Sequence, residues 1–331
     1  MIKMILTTEQ LKEITLGALD IYTDENGDLC FKRFTDKQTE FYLKDHKDHV
    51  IRSKNTTGIR LAFYTDASAL TLSYKMLRGL MANWFQFDIT CDKAMIAHEH
   101  IVTEDDHCEG TFTTTLPEGE HLITIHFSNL CIFKLSGLEL VNATFVRPHT
   151  PKGPKILFLG DSITHGATVD YPSLTYSARI TAMTDAITLN QGVGGDIFRP
   201  GIIDPDISFD PEIVTIAFGT NDWSGARDNP TLRLARANKY FSEVQSAFPS
   251  AKIVYISPIW RNLTEEEYAT FLPARKEFEA LAKEKGIDVV DGFTLVPHLL
   301  PFYADGLHPN ALGDSLYAEN LAVALKKLGV I

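Results

Sequence analysis

The chain is short of positive charge. Its 31 Lys and Arg stand against 43 Asp and Glu, a formal net charge of −12 over 331 residues. Nucleic acids and anionic membranes bind basic surfaces, so both are excluded as principal partners. Cysteine is scarce too. Cys30, Cys91, Cys108 and Cys131 are scattered through the first half without a Cys-x-x-Cys spacing, which reads as buried free thiols rather than a disulfide framework. No uncharged apolar run is long enough to cross a bilayer, and residues 1–10 lack the apolar stretch of a signal peptide; a cytoplasmic protein is expected. There is no Gly-Lys-Ser/Thr phosphate loop and no Gly-x-Ser-x-Gly elbow, and the glycines at 192–195 miss the dinucleotide fingerprint because Ile197 stands where glycine is wanted. His98, His100 and His107 include a His-x-His pair that shares a strand face, but the further ligands zinc requires are not evident. Neither a cofactor nor a metal is expected.

What is present falls into two rhythms. Up to residue 147 the apolar pattern has period two. Residues 17–22 and 29–34 flank an Asn26-Gly27 turn as a hairpin. Further strands fit 59–64, 70–75, 84–90, 96–102, 110–116, 121–127 and 138–146, with almost no helical periodicity. Many short strands with turns between them predict an all-β, jelly-roll-like sandwich over 1–147. Residues 148–154, rich in proline, read as a linker. From 155 to 331 strands alternate with helices. Strands are expected at 156–159, 186–190, 213–218, 253–257 and 287–290, and helices at 175–184, 232–248 and 311–328. Another helix starts after Thr264 and resumes through 281–286. This alternation predicts a three-layer α/β/α sandwich around a parallel sheet.

The chemistry sits in that second region. The apolar run 156–159 ends in Gly160-Asp161-Ser162, Gly219-Thr220-Asn221-Asp222 follows another strand, and Asp305-Gly306-Leu307-His308 precedes the last helix. Ligands of an open parallel sheet gather beyond the carboxyl ends of its strands, which predicts Ser162, Asn221 and Gly195 on one rim. A serine hydroxyl needs a base, and the imidazole of His308 titrates near neutrality. Asp305, three residues earlier, can hold the imidazole tautomer. The amides of Ser162 and Gly195 and the side-chain amide of Asn221 are candidate oxyanion donors. Asp161, His165 and Trp223 are candidate pocket residues, with helix-start charge, packing and core roles as the plainer readings.

These blocks, in this order, resemble the SGNH (GDSL-type) hydrolase family. The resemblance covers about 154–331 and implies Ser162 as nucleophile, His308 and Asp305 as its partners, and Gly195 and Asn221 in the oxyanion hole. Gly195, rather than its neighbours Gly192 and Gly194, fits the family's Asn-x-x-x-x-Gly-Asp spacing from Asn190 to Asp196. A β-sandwich ahead of such a domain, and the stretch from Thr57 to Asp66, resemble carbohydrate esterases of the acetylxylan type and jelly-roll-bearing acyl-ester hydrolases. The resemblance implies a serine esterase acting on small acyl esters, acetylated sugars among them. Two alternatives stand beside it: a carbohydrate-binding protein with a silent α/β half, and an acyltransferase or thioesterase.

Overall fold

The computed structural model describes residues 2–331. The first part of the chain forms two antiparallel sheets. One runs in the order Asp20–Thr23, Leu29–Lys32, Cys131–Val141, Ala69–Arg78, His107–Thr115, with Lys3–Ile5 also on Cys131–Val141. The other runs Val146–Pro148, Arg60–Thr65, His121–His126, Trp84–Cys91, Ala94–Val102, with Thr15–Leu16 on Arg60–Thr65. The period-two pattern explains their packing, since successive side chains leave a strand on opposite faces. Along Ala69–Arg78, Leu70, Leu72, Tyr74 and Met76 enter the shared core. Phe63, Phe85, Phe87, Ile89, Ile123 and Ile125 meet them from the other sheet.

Trp84–Cys91 departs from a half-solvated strand. Its polar face is as buried as its apolar one: Gln86 and Asp88 are both fully enclosed. That face lies against the rest of the chain. The Gln86 amide donates to the Val169 carbonyl at 3.0 Å, and Ser173 donates to Asp88 through its backbone and hydroxyl at 3.1 and 2.9 Å.

The second part is a five-stranded parallel sheet in the order Ile187–Gly192, Lys155–Gly160, Ile213–Ala217, Lys252–Ile256, Asp288–Val290. Alternate residues of each strand feed two cores. Leu157, Leu159, Val214 and Ile216 pack with Tyr240, Phe241 and Phe278 from helices Pro230–Ala247 and Glu265–Glu284. Ile156, Phe158, Ile213 and Val254 pack with Ile180 of Tyr176–Thr184 and with Ala318 and Leu321 of Ala311–Lys327. The three-layer α/β architecture is therefore as expected. The Thr264 capping box forms, and the helix it opens runs unbroken over Glu265–Glu284 with Pro273 inside it. Pro273 is exposed, so water can satisfy the carbonyl that loses its intrahelical partner.

One expectation fails. The first 147 residues are not nearly devoid of helix, because Thr8–Glu13, Asp36–Asp45 and Lys47–Ser53 are helical. The last two do not join the antiparallel sheets. Phe34, Tyr42 and Val50 enter the core of the parallel-sheet half, beside Val193 and Phe198. The signal was in the sequence: Thr35-x-x-Gln38 is a capping box, and both of its hydrogen bonds form.

Candidate active site

The strand Lys155–Gly160, second in the sheet, has Ile187–Gly192 on one side and Ile213–Ala217 on the other. From it the chain passes first to one neighbour and then to the other, which opens a crevice at the carboxyl ends. Ser162 follows this strand, the Gly194-Gly195 turn follows one neighbour, and Asn221 follows the other. Asp161 caps the short helix Ser162–His165 by accepting from the Ile163 amide at 3.0 Å. Burial pushes the Asp161 carboxyl up to about 6.

His308 reaches Ser162 across 146 residues, with Nε2 and the serine Oγ 2.8 Å apart. Its Nδ1 lies 2.7 Å from Asp305 Oδ2. Asp305 Oδ1 also accepts from the amides of Leu307 at 2.9 Å and His308 at 2.8 Å. Burial raises the Asp305 pKa, but the hydrogen bonds from His308 and Leu307 outweigh it and hold the carboxyl below its ordinary value. An ionised Asp305 fixes the ring proton on Nδ1, which leaves Nε2 to accept from the serine hydroxyl. The loop is tied to itself and its surroundings: Ala304 donates to the His308 carbonyl at 2.9 Å, and Thr168 Oγ1 to the Pro309 carbonyl at 3.2 Å.

The glycine turn is held differently. Gly195 has φ +81°, a left-handed value that favours glycine. Arg33, fully buried, donates to the carbonyls of Asn190 at 2.5 Å and Gly192 at 3.2 Å, while its other nitrogens bind the carbonyls of Asn55 and Arg52. Arg52 donates to the Gly194 carbonyl at 2.9 Å. Asn190 donates to the Thr164 carbonyl at 2.8 Å and accepts from the Gly192 amide at 2.8 Å, joining the turn to the serine helix. Met81, in the loop between two strands of the β region, packs over Gly194 closely enough that a Cβ there would meet its sulfur at 2.4 Å. Asn221 Nδ2 donates to the Asp196 carbonyl at 2.9 Å, so the third oxyanion candidate is braced on the same turn. Asp222 accepts from the Phe198 amide, and burial pushes its carboxyl up to about 8.

Two expected pocket residues are not in a pocket. His165 is fully enclosed. Its Nδ1 accepts from the Gly194 amide at 3.2 Å, and Nε2 lies 3.2 Å from the Asn55 side-chain amide. Burial holds its pKa well below the ordinary value, which keeps Nδ1 an acceptor. Trp223 is also fully buried, packed on Phe271, with its indole N–H donating to Thr270 Oγ1 at 3.2 Å. Both are interior supports because the helices carrying them turn those side chains inward. Sequence reasoning missed Arg33, Arg52, Asn55 and Met81, all from the first part of the chain.

The histidines weighed as ligands are engaged elsewhere: His98 packs on Tyr171 and His100 stacks on Trp84. Among the described residues, Cys91, Asp92 and His121 lie close enough to share an ion. Both His121 nitrogens there already face partners, Asp92 Oδ2 at 2.6 Å and the Glu118 carbonyl at 3.0 Å.

Residues 158–316 match the model of the GDSL-like lipase/acylhydrolase family. Three solved structures share the fold over nearly the whole chain. Salicylyl-acyltransferase SsfX3 from a tetracycline biosynthetic pathway is 21% identical with a TM-score of 0.79, covering 96% of this chain and 95% of that one. A family two carbohydrate esterase from Cellvibrio japonicus is 17% identical, TM-score 0.65, covering 99% and 98%. The acetyl xylan esterase Est2A from the rumen bacterium Butyrivibrio proteoclasticus is 12% identical, TM-score 0.63, covering 100% and 99%. No curated protein matches the chain. Among the described residues, no helix is long and apolar enough to cross a membrane.

Proposed function

We propose that the chain is a serine esterase that removes short acyl groups, acetyl foremost, from small alcohols or sugars through a covalent Ser162 acyl-enzyme. The observation that carries this reading is the relay Ser162–His308–Asp305, with steps of 2.8 and 2.7 Å. His308 Nε2 takes the Ser162 proton as Oγ attacks the ester carbonyl carbon. The amides of Ser162 and Gly195 and the Asn221 side chain receive the developing oxyanion. His308 then protonates the departing alcohol oxygen as the carbon–oxygen bond breaks. Water, deprotonated by the same ring, attacks the acyl-enzyme; the acid leaves and Ser162 regains its proton. Asp305 stabilises the imidazolium in both halves.

The test is hydrolysis of p-nitrophenyl acetate and of acetylated xylo-oligosaccharides by the full chain and by Ser162→Ala. The variant is expected to lose activity by about 10⁴-fold or more; unchanged turnover in it would remove the assignment. Acyl transfer is a second reading, favoured by the whole-chain likeness to an acyltransferase. Added alcohol acceptors separate the two: capture of most acyl groups as a new ester, in place of free acid, would favour transfer.

A further inference from the structure

Away from Ser162, a cavity of about 320 Å³ lies between the outer face of the second antiparallel sheet and the helix Tyr176–Thr184. This is the size of a small-molecule site. None of Ser162, His308, Asp305, Gly195 or Asn221 lines it. Much of its wall is apolar, including Leu122, Phe158, Leu174 and Met183.

Arg60 is the buried cation in this wall, which the more exposed Lys93 and Arg179 also line. It is 8% exposed, and its guanidinium meets only neutral acceptors: the carbonyls of Gly58 and Ala186 at 3.3 Å each and Thr188 Oγ1 at 3.4 Å. These are long contacts for a group with five donors. No carboxylate pairs with it among the described residues. Asp185, whose charge it feels, is occupied by His149 Nε2 at 2.7 Å and the Lys152 amide at 3.0 Å. His126 lies opposite Arg60 in the strand register and lines the same cavity. Its ring engages no hydrogen-bond partner among the described residues. The next residue across the row, Asp88, turns to Ser173. A guanidinium taken from water without a counterion is costly. Here it stands beside an unused imidazole at the polar end of an apolar space.

We propose that this cavity binds a small organic carboxylate with an apolar body. The carboxylate lies on Arg60 and His126, and the hydrocarbon lies against Leu122, Phe158 and Leu174. Both regions of the chain contribute walls, so such a ligand joins them. The site is separate from the Ser162 relay, although Asn190, which braces the glycine turn, also lines it.

The test is calorimetric titration of the full chain with benzoate, hexanoate and 2-naphthoate, and with the corresponding primary alcohols. At least one carboxylate is expected to bind saturably at one site, about tenfold or more tighter than its alcohol, the effect of a charge-assisted hydrogen bond. Ser162→Ala is expected to bind unchanged. Ala178→Phe fills the cavity without touching Arg60 and is expected to lose about tenfold or more in affinity. Arg60→Gln is expected to bind acid and alcohol alike; should it fail to fold, Ala178→Phe decides. No carboxylate binding, equal binding of acid and alcohol, or unchanged binding in Ala178→Phe would overturn the proposal.

Discussion

The two sides of the Ser162 crevice are held by different means. On one side, Asp305 and His308 sit three residues apart in one loop, and the acid's bonds run to the amides and ring of that loop. On the other side, the glycine turn at 192–195 is gripped by Arg33, Arg52 and Asn190, with His165 beneath it. The first side is local and nearly self-sufficient. The second depends on Arg33 and on Arg52 of the helix Lys47–Ser53, both contributed from over 140 residues away. A local device can be altered with little loss of stability, whereas a remote clamp couples site geometry to folding.

Substitutions can break that contrast, starting with the largest effect. His308→Ala is expected to lower kcat by about 10⁴-fold or more with little change in the urea midpoint. A large fall in that midpoint would mean that the loop is not independent of the fold. Arg33→Met should act in the opposite way. It strips donors from the carbonyls of Arg52, Asn55, Asn190 and Gly192, and a stability loss on the order of 3 kcal/mol in urea titration is expected, with activity falling alongside. Asn221→Ala tests the oxyanion role. A loss of about 10²–10³ in kcat at nearly constant KM, some 2.7–4 kcal/mol, is expected from steady-state kinetics.

The smallest effect sharpens the contrast at its edge. Asp314, in the helix after the His308 loop, accepts from the Tyr176 amide at 2.9 Å and is one remote tie on the local side. Burial pushes its carboxyl up to about 8 from 3.8. Between those values the folded chain holds this proton and the unfolded chain does not, so this contribution to stability falls as pH rises through the window. Asp314→Asn cannot ionise. Its melting temperature should therefore drop less than the parent's between pH 5 and pH 8.5. Identical slopes would show that Asp314 does not carry the proton.

Much of the parallel-sheet half was legible. Ile156–Leu159 and the residues at 213–218 are apolar runs of strand length, and Thr264 announces its helix with a capping box. The Asn26-Gly27 hairpin was equally plain, with strands Asp20–Thr23 and Leu29–Lys32 paired as the turn requires. Trp84–Cys91 was legible as a strand but not as an interface. Alternation tells which residues share a face and not what covers it, and here the polar face of Gln86 and Asp88 is covered by the segment following Ser162. His165 misled for a related reason. One helical turn past a strand-end serine suggests proximity to substrate, but only packing decides whether a ring points outward or beneath the neighbouring turn.

By itself the sequence determined the strand-end Gly-Asp-Ser, the Asp-x-x-His pair and the order of strands and helices that carries them. These depend on periodicity, caps and short spacings, which are properties of adjacent residues. Tertiary structure alone decided that His308 Nε2 comes within 2.8 Å of Ser162, that Arg33 closes on the glycine turn, and that Arg60 lines a cavity with no carboxylate paired to it. Such contacts join residues more than a hundred positions apart. They are set by how sheets and helices pack around shared cores, which no local pattern encodes.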